Sequence, residues 1–238
     1  MAKNTTKEIL KELKSYGDVA TKKMMINNGA KEPLFGVKAA DLKKILKRVK
    51  KDHALSLELF ATGNSDAMYL AALIADEDRI SKSDLTKWVN AAYWSWLSEY
   101  SVPWVASESE HGYDLALKWI DSKKESVASS GWATLAYSAL IKPDDELDIG
   151  VYEKLLGRVE KNVHKDQNRV SYAMNGFVIS VGSSIKALTK KAMATGKKIG
   201  KVEVDMKGTA CKVPLAVEAI KKVADRGALG KKRKTARC

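Results

Sequence analysis

Cysteine is nearly absent from this 238-residue chain, with Cys211 and Cys238 the only two. Two thiols cannot build a disulfide framework, and both are expected to stay reduced, Cys211 as a buried apolar side chain or a redox-sensitive thiol. Histidine is equally scarce. His53, His111 and His164 have no neighbours at ligand spacing, so no metal site is expected. No apolar run reaches the ~18 residues that mark a membrane-spanning helix. Residues 1–14 lack the apolar core of a secretory signal, which points to the cytoplasm. The phosphate-binding pattern GxxxxGK[ST] is missing, and Gly182-Ser183-Ser184 is too short to replace it, so no cofactor is expected. Strand signals are almost lacking too. Only 200–204, where Val202 and Val204 alternate, hints at one.

Positive charge is plentiful. The formal net charge is +13, and residues 197–238 carry 13 Lys or Arg against 4 Asp or Glu, a net +9. Such asymmetry suits a polyanionic partner, because neutralising phosphates releases condensed counterions. The segment GKKRKT (230–235) has no apolar face for a lipid interface. Residues 1–229 are therefore read as one domain and 230–238 as a basic tail. The bland alternative is a solvated, flexible terminus.

Helical periodicity fills most of the chain. Ile9, Leu10, Leu13 and Tyr16 form one stripe, ended by Gly17. Gly29, Pro33 and Gly36 mark a loop, and Val37, Leu42, Ile45, Leu46 and Val49 form the next stripe, with Lys43, Lys44, Lys47 and Arg48 opposite. Asn64-Ser65-Asp66 is an N-cap cluster before 65–74, and Ser81 or Ser83 starts another helix. Further stripes cover 112–120, 125–140, 148–159, 171–181 and 213–223. Ten to thirteen helices of ~10–15 residues with short loops predict an all-α superhelix of stacked antiparallel pairs, a HEAT-like helical-repeat solenoid. A compact bundle is the competing arrangement.

All six tryptophans fall within 45 residues, from Trp88 to Trp132. The stretch AAYWSWLSEYSVPW (91–104) holds too many aromatics for one buried stripe. On a helix Trp94 and Trp96 would lie about 200° apart, so one is expected to face a groove. An indole beside a basic surface suits stacking on a base or sugar.

The stretch 32–76, EPLFGVKAADLKKILKRVKKDHALSLELFATGNSDAMYLAALIAD, resembles the N-terminal part of bacterial DNA alkylation repair proteins, the HEAT-like-repeat DNA glycosylases. WVNAAYWSWLSEYSVPWV (88–105) is similar to their active-site helix, and GTACKVP (208–214) with GKKRKTARC (230–238) to the ending of one subgroup. The resemblance implies helical repeats cradling duplex DNA and release of N3- or N7-alkylated purines. A carboxylate beside the deoxyribose would stabilise the oxocarbenium-like sugar.

Residue by residue, the family's catalytic aspartate aligns with Glu99, one methylene longer. The tryptophan one turn before it falls at Ser95, between Trp94 and Trp96. A second active-site tryptophan aligns with Phe177, after Gly176, and a backbone-gripping arginine aligns near Trp132. Glu99 is thus expected either to act in catalysis or to pair with a lysine at the surface. Trp94, Trp96, Trp132, Phe177, Lys212, Lys231, Lys232, Arg233 and Lys234 are the expected DNA contacts. The partner is double-stranded DNA, alkylated or distorted, bound by a nucleoid-associated monomer. The alternatives are a non-catalytic binder of DNA structure on the same scaffold and a protein-interaction scaffold.

Overall fold

Among the described residues, six helices are opened by side-chain caps, which sets where the chain turns. Thr5 and Glu8 form a reciprocal capping box, and Asp18, Asp52, Asn64, Ser81 and Asp148 each accept a backbone N–H from the first turn that follows. The computed structural model describes residues 4–207 and 212–237. Both cysteines and most of GTACKVP lie outside the described residues.

Among the described residues there are thirteen α-helices and no strand, and 68% is helical. The helices are α1 (Thr6–Ser15), α2 (Val19–Asn27), α3 (Ala39–Val49), α4 (His53–Ala61), α5 (Ser65–Ile74), α6 (Lys82–Ala91), α7 (Val102–Glu108), α8 (Gly112–Trp119), α9 (Glu125–Ile141), α10 (Ile149–Asn162), α11 (Asn168–Ser184), α12 (Thr189–Ile199) and α13 (Ala216–Asp225). A π-helical segment, Trp96–Ser101, runs into α7. The expected strand at 200–204 does not form: apart from a bend at Lys201, residues 200–206 are irregular coil. None of the described helices is long and apolar enough to cross a membrane.

Alternate helices make two layers. In one, α5, the π segment with α7, α9, α11 and α13 pack side by side in sequence order. In the other, α4 packs on α5, α8 on α9, and α10 and α12 on α11. This is the HEAT-like arrangement that the stripes predicted. The α8–α9 contact is close enough to demand glycine: a Cβ at Gly131 would lie 2.7 Å from the Ile120 nitrogen. Two apolar cores fill the space between layers, one from Ile9 to Val127 and one from Ala116 to Ile220.

Buried Asp66 ties the FGV loop to α5. Its carboxylate accepts the backbone N–H groups of Phe35 (2.6 Å), Gly36 (3.1 Å) and Val37 (2.9 Å). Gly36 sits at φ +80°, where a Cβ would strike the Lys22 nitrogen at 2.5 Å. The loop is therefore paired to a helix far from it in sequence.

Residues 230–237 do not project as a free tail. They run back along the first layer, across the C-terminal ends of four helices. The Gly230 N–H donates to the Ser183 carbonyl of α11 (2.8 Å) and the Arg233 N–H to Leu140 of α9 (2.8 Å). Lys232 Nζ donates to the Ala139 carbonyl (2.9 Å) and pairs with Asp144 (2.7 Å). The Ala236 N–H donates to Glu108 of α7 (2.8 Å), and Arg237 reaches the Ala75 carbonyl after α5 (3.1 Å) and the carboxylates of Glu77 and Glu108. Helix C-termini present unpaired carbonyls and partial negative charge, so a basic strap is their natural complement. Ala236 is buried beside Leu73 and Trp104 and anchors its end.

Candidate nucleic-acid interface

The open face of the first layer carries two cavities. Along α9, Ser126, Ser129, Ala133, Ala136 and Leu140 line them in turn, and along α11 Arg169, Ala173, Gly176 and Ser180 do so. Small side chains on both helices leave the space between them empty. Tyr100 and Tyr172 border both cavities, so the two form one groove. The larger part, about 530 Å³, lies toward the N-terminal ends of α9 and α11, among Tyr93, Trp94, Trp96, Asp205 and Lys207. The smaller, about 220 Å³, ends at Arg233 of the strap.

Glu99 sits on the π segment, where Pro103 explains the local geometry. Proline lacks the N–H that would reach the Glu99 carbonyl in a regular α-helix. The helix widens there, as helices often do at functional sites. Ser101 Oγ donates to the Trp96 carbonyl (3.1 Å), and Ser130 Oγ of α9 donates to that of Ser98 (2.6 Å), holding the widened turn.

The Glu99 side chain is 4% exposed and is gripped by Arg169 of α11. Arg169 Nε donates to Oε1 at 2.6 Å and Nη2 to Oε2 at 2.5 Å, a bidentate fork. Burial pushes the Glu99 carboxyl above its ordinary value. The guanidinium opposes that push, and Glu99 in turn raises Arg169. The two-point fork is the geometry of a carboxylate–guanidinium pair, in which each group answers the other's charge. Arg169 also lies 4.4 Å over the Tyr172 ring, and its backbone N–H donates to Glu125 (2.8 Å). The sequence leaves Glu99 between catalysis and a surface lysine pair; in the structure it is buried, and its partner is the partly buried Arg169 rather than a lysine. They stand 70 positions apart, and nothing local in the sequence signals this pairing.

The aromatic residues divide. Trp94 precedes the π segment in a bend, so the helical-wheel separation from Trp96 does not apply. The two indoles stack at 5.1 Å and 19°. Trp94 is buried and donates its ring N–H to Ser65 Oγ (2.9 Å), while Trp96 is half-buried and lines the larger cavity. Trp132 and Phe177 correct the expectation of DNA contact. Both are fully buried and pack edge to face at 5.2 Å, and Phe177 stacks on Tyr152. A nucleic acid meets neither in this conformation.

The basic residues divide as well. Lys232 is committed to Asp144 and Ala139, against the expectation of a free phosphate contact. Lys231, Arg233, Lys234 and Lys212 are exposed. Lys207, at the rim of the larger cavity, was not singled out from the sequence and is exposed too. A short acidic run, Asp76-Glu77-Asp78, could gather carboxylates round a cation, but Lys51 and Arg237 already neutralise it.

Comparison with known proteins bears on the family and the fold. The model of the family described as DNA alkylation repair enzyme matches residues 9–221. The uncharacterised proteins Lin0241 of Listeria innocua and Lmo0209 of Listeria monocytogenes are each 35% identical over 222 residues, covering 90% of this chain and 95% of theirs. A solved structure superposes with a TM-score of 0.90 at 39% identity, covering 99% of this chain and 100% of its own. That protein is described as one of a new family related to the HEAT-like repeat DNA glycosylases with affinity for branched DNA structures. On the match over residues 9–221, the chain belongs to the DNA alkylation repair family.

Proposed function

We propose that this protein binds branched DNA and does not release bases from it. One observation carries the non-catalytic half: the carboxylate at the family's catalytic position is spent on Arg169 through both oxygens. A buried, neutralised carboxylate offers little field to a cationic sugar, and stabilisation of that charge is what glycosidic cleavage requires. The binding half is supported by the groove, by the net charge of +13, and by the description of the 39%-identical structural relative. Lys212, Lys231, Arg233 and Lys234, being exposed, remain the strap and loop cations proposed to meet phosphate.

The test compares a four-way junction with a linear duplex of equal length in mobility-shift titrations at fixed salt, alongside base release from duplex DNA carrying N7-methylguanine. Tighter junction binding and no release above the protein-free rate are expected. Release that falls by about two orders of magnitude in Glu99→Gln would restore the glycosylase reading.

A further inference from the structure

The larger cavity is more elaborate than contact with a DNA backbone requires. At about 530 Å³ it has the size of a small-molecule site, about 300–1,000 Å³. Its rings are held in place before any ligand arrives. The Tyr93 hydroxyl donates to the Lys31 carbonyl (2.9 Å) and accepts the Lys31 N–H (3.1 Å). Trp94 is fixed by Ser65 and supports Trp96 by stacking, and Tyr172 lies beneath an arginine that Glu99 immobilises. At the rim, Asn168 and Asp205 exchange hydrogen bonds of 3.0 and 2.7 Å, which secures the turn that presents Lys207.

Three features select the ligand. Preset aromatic faces suit a planar π system. Asn28 and Asp205 in the lining offer polar groups to a polar ring edge, which an aliphatic ligand would leave unmatched. An exposed lysine at the mouth suits a phosphate attached to that ring. A base within an intact duplex is stacked and paired and cannot enter. An unpaired base costs least to extrude.

We infer that this cavity receives a single unpaired nucleobase from the branch point, stacked on Trp96, with its phosphate near Lys207. The inference rests on the branched-DNA reading, and its test separates the two. A four-way junction carries 2-aminopurine either at the branch or in mid-arm, and the full-length protein is titrated to saturation as judged by mobility shift. Stacking on an indole quenches this base, so fluorescence should fall at the branch and stay unchanged in the arm. Trp96→Leu should abolish the quenching and weaken junction binding by about 5- to 150-fold, the range for losing one base–aromatic stack. A saturated shift without quenching at the branch, or equal quenching at both positions, overturns the cavity assignment and leaves the DNA reading standing. Quenching that survives in a folded Trp96→Leu variant also overturns it. No shift with any branched substrate overturns both. Should Trp96→Leu fail to fold, the branch-against-arm comparison in the unaltered protein decides alone.

Discussion

Glu99 and Arg169 are worth more to each other than to solvent. Glu99 has been withdrawn from water and Arg169 partly so, and separation would leave the Glu99 charge buried and uncompensated. Glu99→Gln keeps one acceptor for the guanidinium but removes the charge. It should destabilise the protein by about 2–4 kcal/mol in denaturant titration. The apolar double replacement, Glu99→Leu with Arg169→Leu, should recover much of that loss. Strictly additive single losses would show that the two are not coupled. Asp66 makes a similar prediction without a cationic partner. Asp66→Ala orphans three backbone donors, two of them buried, and should cost at least about 2–4 kcal/mol while loosening the 35–37 loop to hydrogen exchange. Asp18 sets a pH dependence. Thr21, as backbone and side-chain donor, and then Lys38 hold its carboxyl down from 3.8 to about 2. The folded state thus prefers the ionised form. That contribution is complete above about pH 4 and is lost as pH falls toward 2. Asp18→Asn should flatten this part of an acid-unfolding curve, and an unchanged curve would show that the α2 cap plays no part in it.

At the scale of elements, the π segment and the strap place the groove. Pro103 widens the helix, turns Glu99 inward toward α11, and leaves Trp96 beside the larger cavity. Residues 230–237 close the other end. From charge alone the tail offers five cations, Lys231, Lys232, Arg233, Lys234 and Arg237. In the fold, Lys232 and Arg237 are occupied, which leaves three. Truncation after Leu229 should therefore lower the salt slope of DNA binding by up to about 3 units. The same truncation should reduce stability, because carbonyls at the ends of α9, α11 and α5 lose their donors. A slope reduced by nearly 5 units with unchanged stability would mean that the strap is free in solution. Lys232→Met should lower stability with little change in slope, whereas Arg233→Met should do the reverse.

At the scale of the molecule, two layers of short helices among the described residues bury two large cores and a small third one, and hold a groove open along α9 and α11. Much of this was legible in the sequence. Apolar stripes at helical spacing, the caps at Asn64 and Ser81, and short loops determined an all-α stack, because those signals act within a few residues. The helices at Val19–Asn27, His53–Ala61 and Thr189–Ile199 escaped the stripe reading, the first two because neither has a marked apolar face. The crowding of 91–104 with aromatics marked the site region, and the charge asymmetry pointed to a polyanion. Tertiary structure alone decided what those residues do. Trp132 and Phe177 went to the core because packing chose their direction, which spacing does not encode. Trp94 and Trp96 stack because the chain bends where a helix was assumed. Glu99 met Arg169, and the basic tail became a strap, through contacts between residues 47 to 162 apart in the chain. Local pattern specifies which elements form, but the partner of a buried charge is selected by the desolvation that closing the fold imposes on both ions.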